Sequence, residues 1–386
     1  MEKRRKMKKS KVLISILAAL LIVAGIAAAV PLVGKKDAGE DYMIRYIKEH
    51  PENASLTLIH NNEEIAAYHS DRMMPLASVV KIIVAIEYAQ QAADGKIDPN
   101  ESVKLTDIDK YYLPKLDGGA QPAWMESLEA RKLIKDDSVP LEEVAKGMMD
   151  VSSNANMEYL IERLGLDPIN SNLSKLGLQN HQNIFPLYST LLIPYEIMQN
   201  YQELPQEERL TKAKEELRTM SQEQLETLAM REHEKLKHDI DGSYKKMVAI
   251  EEWYDEEFDK INSDRMIAST TGDYALLLSK INSRKTFSPQ VHKHLDNIME
   301  GPMQSPNNQE SFQHLGFKGG STNYILNTAM YALDKDNNST EILLFLNNIA
   351  KQDYPNIQEN LNAFLKGVLT NSEVRQKVHE QIGMAH

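Results

Sequence analysis

The sequence predicts an α+β body rather than an alternating α/β one, and three observations carry this. Strand-like segments occur just after residue 50, three more occur between 316 and 347, and the long stretch between them reads as helical.

The elements follow in chain order. Residues 1–11, MEKRRKMKKSK, hold seven basic residues and one acidic residue. Residues 12–33 carry no charge over 22 positions, and about 20 apolar residues in a helix span a membrane core of about 30 Å. This pair predicts a basic cytoplasmic segment and a single transmembrane anchor, with the body outside. The alternative is a signal sequence cleaved near Ala27–Ala29, which would release the body. Residues 34–40 read as a polar linker and the body as 41–386.

Within the body, Met43, Ile44 and Ile47 share one face of a helix over 41–50. Residues 55–60 and 65–68 read as a hairpin turning at Asn61-Asn62. A strongly apolar helix over 78–93 stops at Asp94-Gly95. Pro114, Gly118, Gly119 and Pro122 predict a loop over 110–125. Ser138 is expected to cap a helix running from Pro140 to Met149, and another helix covers 156–164. Residues 316–318, 324–333 and 341–347 read as strands, and one final helix covers 355–382. Residues 203–264 differ from the rest, with 18 acidic and 10 basic residues and only Pro205 and Gly242 as breakers. They read as a helical insertion, either a charged solvated hairpin or a lid and partner-protein surface.

Composition narrows the function classes. The 386 residues are 42% hydrophobic and 26% charged, with no cysteine. Disulfides, thiolate metal sites and Cys nucleophiles are therefore excluded. The net charge is −12, and no basic face for nucleic acid is evident. Beyond the basic N-terminal block the chain carries −18, of which the insertion supplies −8. His233 and His238, five apart in HEKLKH, lie off one helical face and read as part of a solvated helix rather than a zinc motif.

Three short patterns could carry chemistry. Ser78 and Lys81 are three apart at the start of the apolar helix, so a neutral lysine amine could take the serine proton. The S-x-x-K pattern recurs at Ser243–Lys246, among solvated charges. Ser152 and Asn154 flank Ser153 between two helices, where a helix-capping role is the common alternative. Lys318-Gly319-Gly320-Ser321 ends a strand, and its glycines would let a ligand approach the edge closely.

The order S-x-x-K, S-x-N, K-G-G resembles the penicillin-recognising serine hydrolases, closest to class A β-lactamases. Thr270–Leu278 resembles the family's helix after its Ω-loop, and 320–329 resembles the strand bordering its active site. The resemblance covers about 41–383 apart from the insertion. It implies a five-stranded antiparallel sheet flanked by helices, with a mostly helical part forming the other wall of a cleft. It implies Ser78 as nucleophile, Lys81 as its base and Ser152 as proton donor to the leaving nitrogen. Asn154 would bind the substrate's side-chain amide and Lys318 its carboxylate. Gly320 and Ser321 would border the substrate, with the N–H groups of Ser78 and Ser321 as the oxyanion hole. No cofactor or metal is implied.

Two departures lie at middle positions, Ser153 for Asp and Gly319 for Thr or Ser. A third is larger, because no E-x-x-L-N segment precedes Thr270. Glu196 is the nearest carboxylate in sequence, in the wrong setting. The expected function is an anchored serine hydrolase acylated by β-lactams or D-Ala-D-Ala peptides, with slow deacylation. A D,D-carboxypeptidase or transpeptidase acting on peptidoglycan is the alternative within the class. A non-catalytic cell-surface binding protein on the same fold is the alternative outside it.

Overall fold

A computed structural model describes residues 39–385. The basic block, the apolar run 12–33 and most of the linker lie outside the described residues. Among the described residues, no helix is long and apolar enough to cross a membrane.

Helix α1 (Gly39–Glu49) leads into β1 (Ala54–His60) and β2 (Glu63–Tyr68). These strands form the expected hairpin. Asn61 and Asn62 both take positive φ, 52° and 64°, the turn geometry whose twist matches that of the paired strands. At the other end of the body lie β3 (Phe312–Ser321), β4 (Leu326–Asp334) and β5 (Ser339–Leu346). They form an antiparallel meander. β1 then pairs with β5 from Ala54↔Leu346 to His60↔Thr340, which joins the two ends of the body.

A sixth strand, β6 (Met384–Ala385), adds in parallel to the outer edge of β2. The order is β6-β2-β1-β5-β4-β3. The antiparallel five are as expected; two residues were too few to signal the sixth. The single helix expected over 355–382 is two helices, α11 (Tyr354–Thr370) and α12 (Ser372–Gln381), broken at Asn371.

The sheet separates two cores, and strand alternation assigns each residue to one of them. Met330, Ala332, Ile342, Leu344 and Leu346 pack with Ile44, Ile47, Leu361 and Phe364 from α1 and α11. Ala329, Tyr331, Leu343 and Phe345 face the helical half of the molecule, where α10 (Thr271–Asn282) lies against the sheet through Tyr274 and Asn282. The centre of that half is α2 (Lys81–Ala93), where Ile82, Ile83, Val84, Ala85 and Ile86 are fully buried. Around it stand α3 (Ala120–Ala130), α4 (Leu141–Asp150) and α5 (Asn154–Leu164).

Two local expectations fail here. Residues 120–125 are helical, because Asp117 accepts hydrogen bonds from the Gly119 and Gln121 N–H groups and so starts α3. Ser138 belongs to a short strand, Ser138–Pro140, paired with Ser102–Lys104. Pro140, not Ser138, precedes α4.

The insertion forms α6 (Gln206–Thr219), α7 (Gln222–His238), α8 (Ser243–Val248) and α9 (Glu256–Asp264). Ser221 and Gln224 make a capping box at the start of α7. Salt bridges from Lys214 to Asp255 and Glu257 join α6 to α9 at the surface.

His233 is not solvated; it is 2% exposed. Its ring stacks on Tyr111 at 4.8 Å, and its Nδ1 lies 2.6 Å from Glu158 Oε2 on α5. Burial pushes this imidazole down, but Glu158 and Glu162 outweigh it and hold the group above its ordinary value. Helix spacing placed His233 and His238 apart, but it could not show that α7 turns the former inward.

The last helix of the insertion is fixed by rings. Phe258 on α9 is 1% exposed and packs against Trp253 and Tyr254, with centroids at 5.5 and 5.9 Å. Phe258→Ala is expected to cost about 3–5 kcal/mol. Denaturant unfolding measures the loss, and faster amide exchange across 243–264 locates it.

Candidate active site

Ser78 does not sit on the α-helix itself. It lies in a 3₁₀ turn, Ala77–Val80, that runs directly into α2 at Lys81. With three residues per turn, positions i and i+3 stack almost directly, and Lys81 Nζ lies 3.1 Å from Ser78 Oγ. Ala77, just before the serine, takes a positive φ of 46°. Such strain in a non-glycine residue persists only where its surroundings hold it. Here Leu76 N–H bonds Ile267 O, and Asn327 Nδ2 bonds Pro75 O.

The loop between α4 and α5 presents the next group. Ser152 takes φ of 66°, and Lys81 Nζ reaches its carbonyl at 2.6 Å and its Oγ at 3.2 Å. Lys81 also donates to Asn154 Oδ1 at 2.8 Å. The capping role falls to the middle residue, Ser153. Its Oγ accepts from Asn156 N–H and donates to Gln121 Oε1 at 2.7 Å. Ser152 and Asn154 are thereby left to face the cleft. On β3, Lys318 Nζ donates to the same Ser152 Oγ at 2.9 Å.

Both amines are buried, Lys81 at 1% and Lys318 at 3% exposure. Burial holds Lys81 well below the usual lysine range, and the charge of Lys318 pushes it the same way. Burial brings Lys318 down to about 7, opposed by Asp150. Asp150 is itself raised by burial to about 6. A neutral Lys81 has two N–H donors and one lone pair. The Ser152 carbonyl and Asn154 Oδ1 are pure acceptors for the two donors, which leaves the lone pair for a hydroxyl.

β3 passes tightly against the serine turn. A Cβ on Gly320 would lie 2.5 Å from Leu76 O and 2.9 Å from Ser78 N. Only glycine lets the strand edge approach so closely. Gly319 is different; a Cβ there would meet the ring edge of Phe317 at 3.2 Å and Asn327 O at 3.7 Å, an ordinary contact distance. Ser78, Ser152, Asn154, Lys318, Gly320 and Ser321 line one cleft of about 190 Å³. Lys81 closes its floor through the hydrogen bonds above. The second S-x-x-K copy, in α8, is not among the lining residues.

Residues 40–309, more than half of the chain, match the beta-lactamase enzyme family. The chain belongs to that family.

The fold agrees across solved structures. A β-lactamase from Chitinophaga pinensis aligns at 14% identity over 86% of this chain and 99% of that one, with a TM-score of 0.52. A class A β-lactamase from Bacteroides cellulosilyticus aligns at 15% identity over 87% and 100%, with a TM-score of 0.50. A β-lactamase from Sphaerobacter thermophilus gives 14%, 86%, 97% and 0.51. No curated protein matches the chain.

One wall of the cleft is largely apolar. Leu187, Tyr188 and Leu191 line the cleft there, in and beside a 3₁₀ turn spanning Tyr188–Leu192. Glu158 anchors this turn from behind, accepting from Tyr188 N at 2.7 Å and Ser189 Oγ at 3.0 Å. Glu196 lies outside the lining and is engaged by Arg231 and Lys235. The carboxylates that do line the cleft are Asp117, Asp150 and Asp259.

Sequence reasoning missed these three, together with Asn262 on α9 and Tyr354 at the start of α11. Asp150 stands two residues before Ser152, but the others arrive from distant segments with no local signal. Asp296, Glu300 and His314 also gather, outside the cleft lining, but Arg284 already pairs with Asp296 at 2.6 Å and supplies the cation there.

Gly320→Ala should drive apart β3 and the serine turn. A drop of several degrees in Tm is expected, with loss of reaction at Ser78. Gly319→Ser should fold normally, and paired thermal scans test the contrast.

Proposed function

We propose that the chain is a membrane-anchored serine hydrolase that forms an acyl-enzyme at Ser78 with β-lactams or D-Ala-D-Ala-type peptides. The observation that carries this is the buried Lys81 amine 3.1 Å from Ser78 Oγ, with its other hydrogen bonds directed to acceptors. Neutral Lys81 takes the Ser78 proton as Oγ bonds to the substrate carbonyl carbon. The N–H groups of Ser78 and Ser321 meet the oxyanion, and losing one such donor typically costs about 10²–10³ in rate. Ser152 Oγ, bonded to both lysines, gives its proton to the leaving nitrogen and regains one from Lys81. The C–N bond breaks and an ester remains on Ser78. Lys318 attracts the substrate carboxylate, and Asn154 binds the side-chain amide.

The second step is expected to be slow. Leu187, Tyr188 and Leu191 line the cleft, and they come from the stretch between Ser152 and Thr270 where the family's E-x-x-L-N segment falls in sequence. Asp117 is bound to two backbone N–H groups. The apolar wall also favours a second reading, a D,D-peptidase or transpeptidase whose acyl acceptor is a peptidoglycan amine. The uncharged run 12–33 behind its basic flank supports anchoring with the body outside the membrane, or secretion if the run is cleaved.

Mass spectrometry after incubation with a fluorescent penicillin should show one adduct, on Ser78, that persists for hours. Ser78→Ala should abolish it, and Lys81→Ala should slow it by about 10³ or more. No adduct with any β-lactam or acyl-D-Ala-D-Ala analogue would overturn the enzyme reading. Rapid turnover would overturn slow deacylation.

The reaction should also report Lys318. Its cation exists below about pH 7 and is lost above it. Acylation efficiency should therefore fall above pH 7 through weaker binding of the substrate carboxylate. Lys318→Arg, which stays charged, should remove that alkaline limb. Stopped-flow acylation from pH 5 to 9 measures both.

A further inference from the structure

The insertion reaches the cleft through α9. Asp259 and Asn262 line it beside Thr322 and Asn323, the residues just past the end of β3. Two hydrogen bonds fasten the helix there: Asn323 Nδ2 donates to Asp259 Oδ2 at 2.6 Å, and Ser263 Oγ donates to Thr322 Oγ1 at 2.9 Å. Asp259 is partly buried, and no cation pairs with it among the described residues. The lysines of its neighbourhood are engaged elsewhere. Lys260 pairs with Asp264, Lys351 with Glu256, and Lys214 with Asp255 and Glu257. Burial and the charge of Glu256 raise Asp259 above the usual carboxylate range, and the Asn323 hydrogen bond opposes them.

Position along β3 says which part of a substrate would meet this carboxylate. Lys318 holds the leaving-group carboxylate, and Ser321 N–H meets the acyl carbonyl. Asn323, two residues on in the turn that joins β3 to β4, lines the cleft past Ser321 and is bonded to Asp259. Asp259 therefore flanks the acyl side chain, beyond the amide. A desolvated carboxylate without a counter-ion gains most from a cation brought by the ligand. We propose that Asp259 makes the site selective for acyl donors that carry an ammonium group on the acyl side chain. This rests on acylation at Ser78 as set out above.

The test uses the full-length chain with benzylpenicillin, whose acyl side chain is neutral, and ampicillin, whose side chain bears an amine. Labelling rates at Ser78 are compared at a pH where that amine is protonated. The wild-type protein is expected to favour ampicillin about fivefold, the value of one partly exposed charge pair. Asp259→Asn keeps an acceptor for Asn323 and removes the charge, so it should abolish the preference while leaving the benzylpenicillin rate unchanged. Asn323→Ala removes the hydrogen bond and keeps the charge, so it should retain the preference.

Equal rates in the wild type would overturn the proposal. So would a preference that survives Asp259→Asn, or loss of preference in Asn323→Ala with Asp259 intact. If Asp259→Asn slows both penicillins equally, the residue only holds the loop and the proposal is overturned. Failure of both compounds to label Ser78 would instead overturn the acyl-enzyme reading, and this inference with it.

Discussion

Two lysine amines are buried within hydrogen-bond reach of one serine hydroxyl. Lys81 and Lys318 stand 3.2 and 2.9 Å from Ser152 Oγ, and neither forms a salt bridge among the described residues. Burying ammonium groups so is strongly unfavourable unless a proton is lost or every donor is satisfied. The rest of the structure answers that constraint. Ser152 accepts in a left-handed loop, Asn154 turns its carbonyl inward, and Asp150 opposes the fall of Lys318. The same desolvation that penalises charge on Lys81 makes it a base.

Such an arrangement needs a rigid frame built from distant pieces. Ser78 comes from the turn ahead of α2, Ser152 from the loop between α4 and α5, and Lys318 from β3. The frame holds because β1 pairs with β5, so the two ends of the body share a sheet, and because glycine at 320 lets β3 press on the serine turn. The insertion joins the frame rather than hanging from it. His233 on α7 bonds Glu158, which also supports the turn at Tyr188–Leu192, and α9 is fastened to the end of β3. The acidic surplus of this segment therefore bears on the cleft through Asp259, which charge counting alone had assigned to a solvated appendage.

How far the sequence was legible depended on the range of the signal. The hairpin at Asn61-Asn62 and the apolar run after Lys81 are local patterns, and both formed as expected. The start of α3 failed because Gly118, Gly119 and Pro122 read as breakers, while the stabilising contact was the Asp117 carboxylate on the helix's first N–H groups. His233 failed because charged neighbours in sequence concealed a buried neighbour in space.

The sequence by itself determined the α+β order, the three motifs and the absence of an E-x-x-L-N segment, because each is written in short-range spacing. Only the tertiary structure decided that Ser78 sits on a 3₁₀ turn, that Ser153 rather than Ser152 caps α5, and that Asp117, Asp150 and Asp259 share the cleft. Those outcomes depend on which distant backbones approach one another. Desolvation depends on the same thing, since burial is a property of the packed chain and of no residue alone.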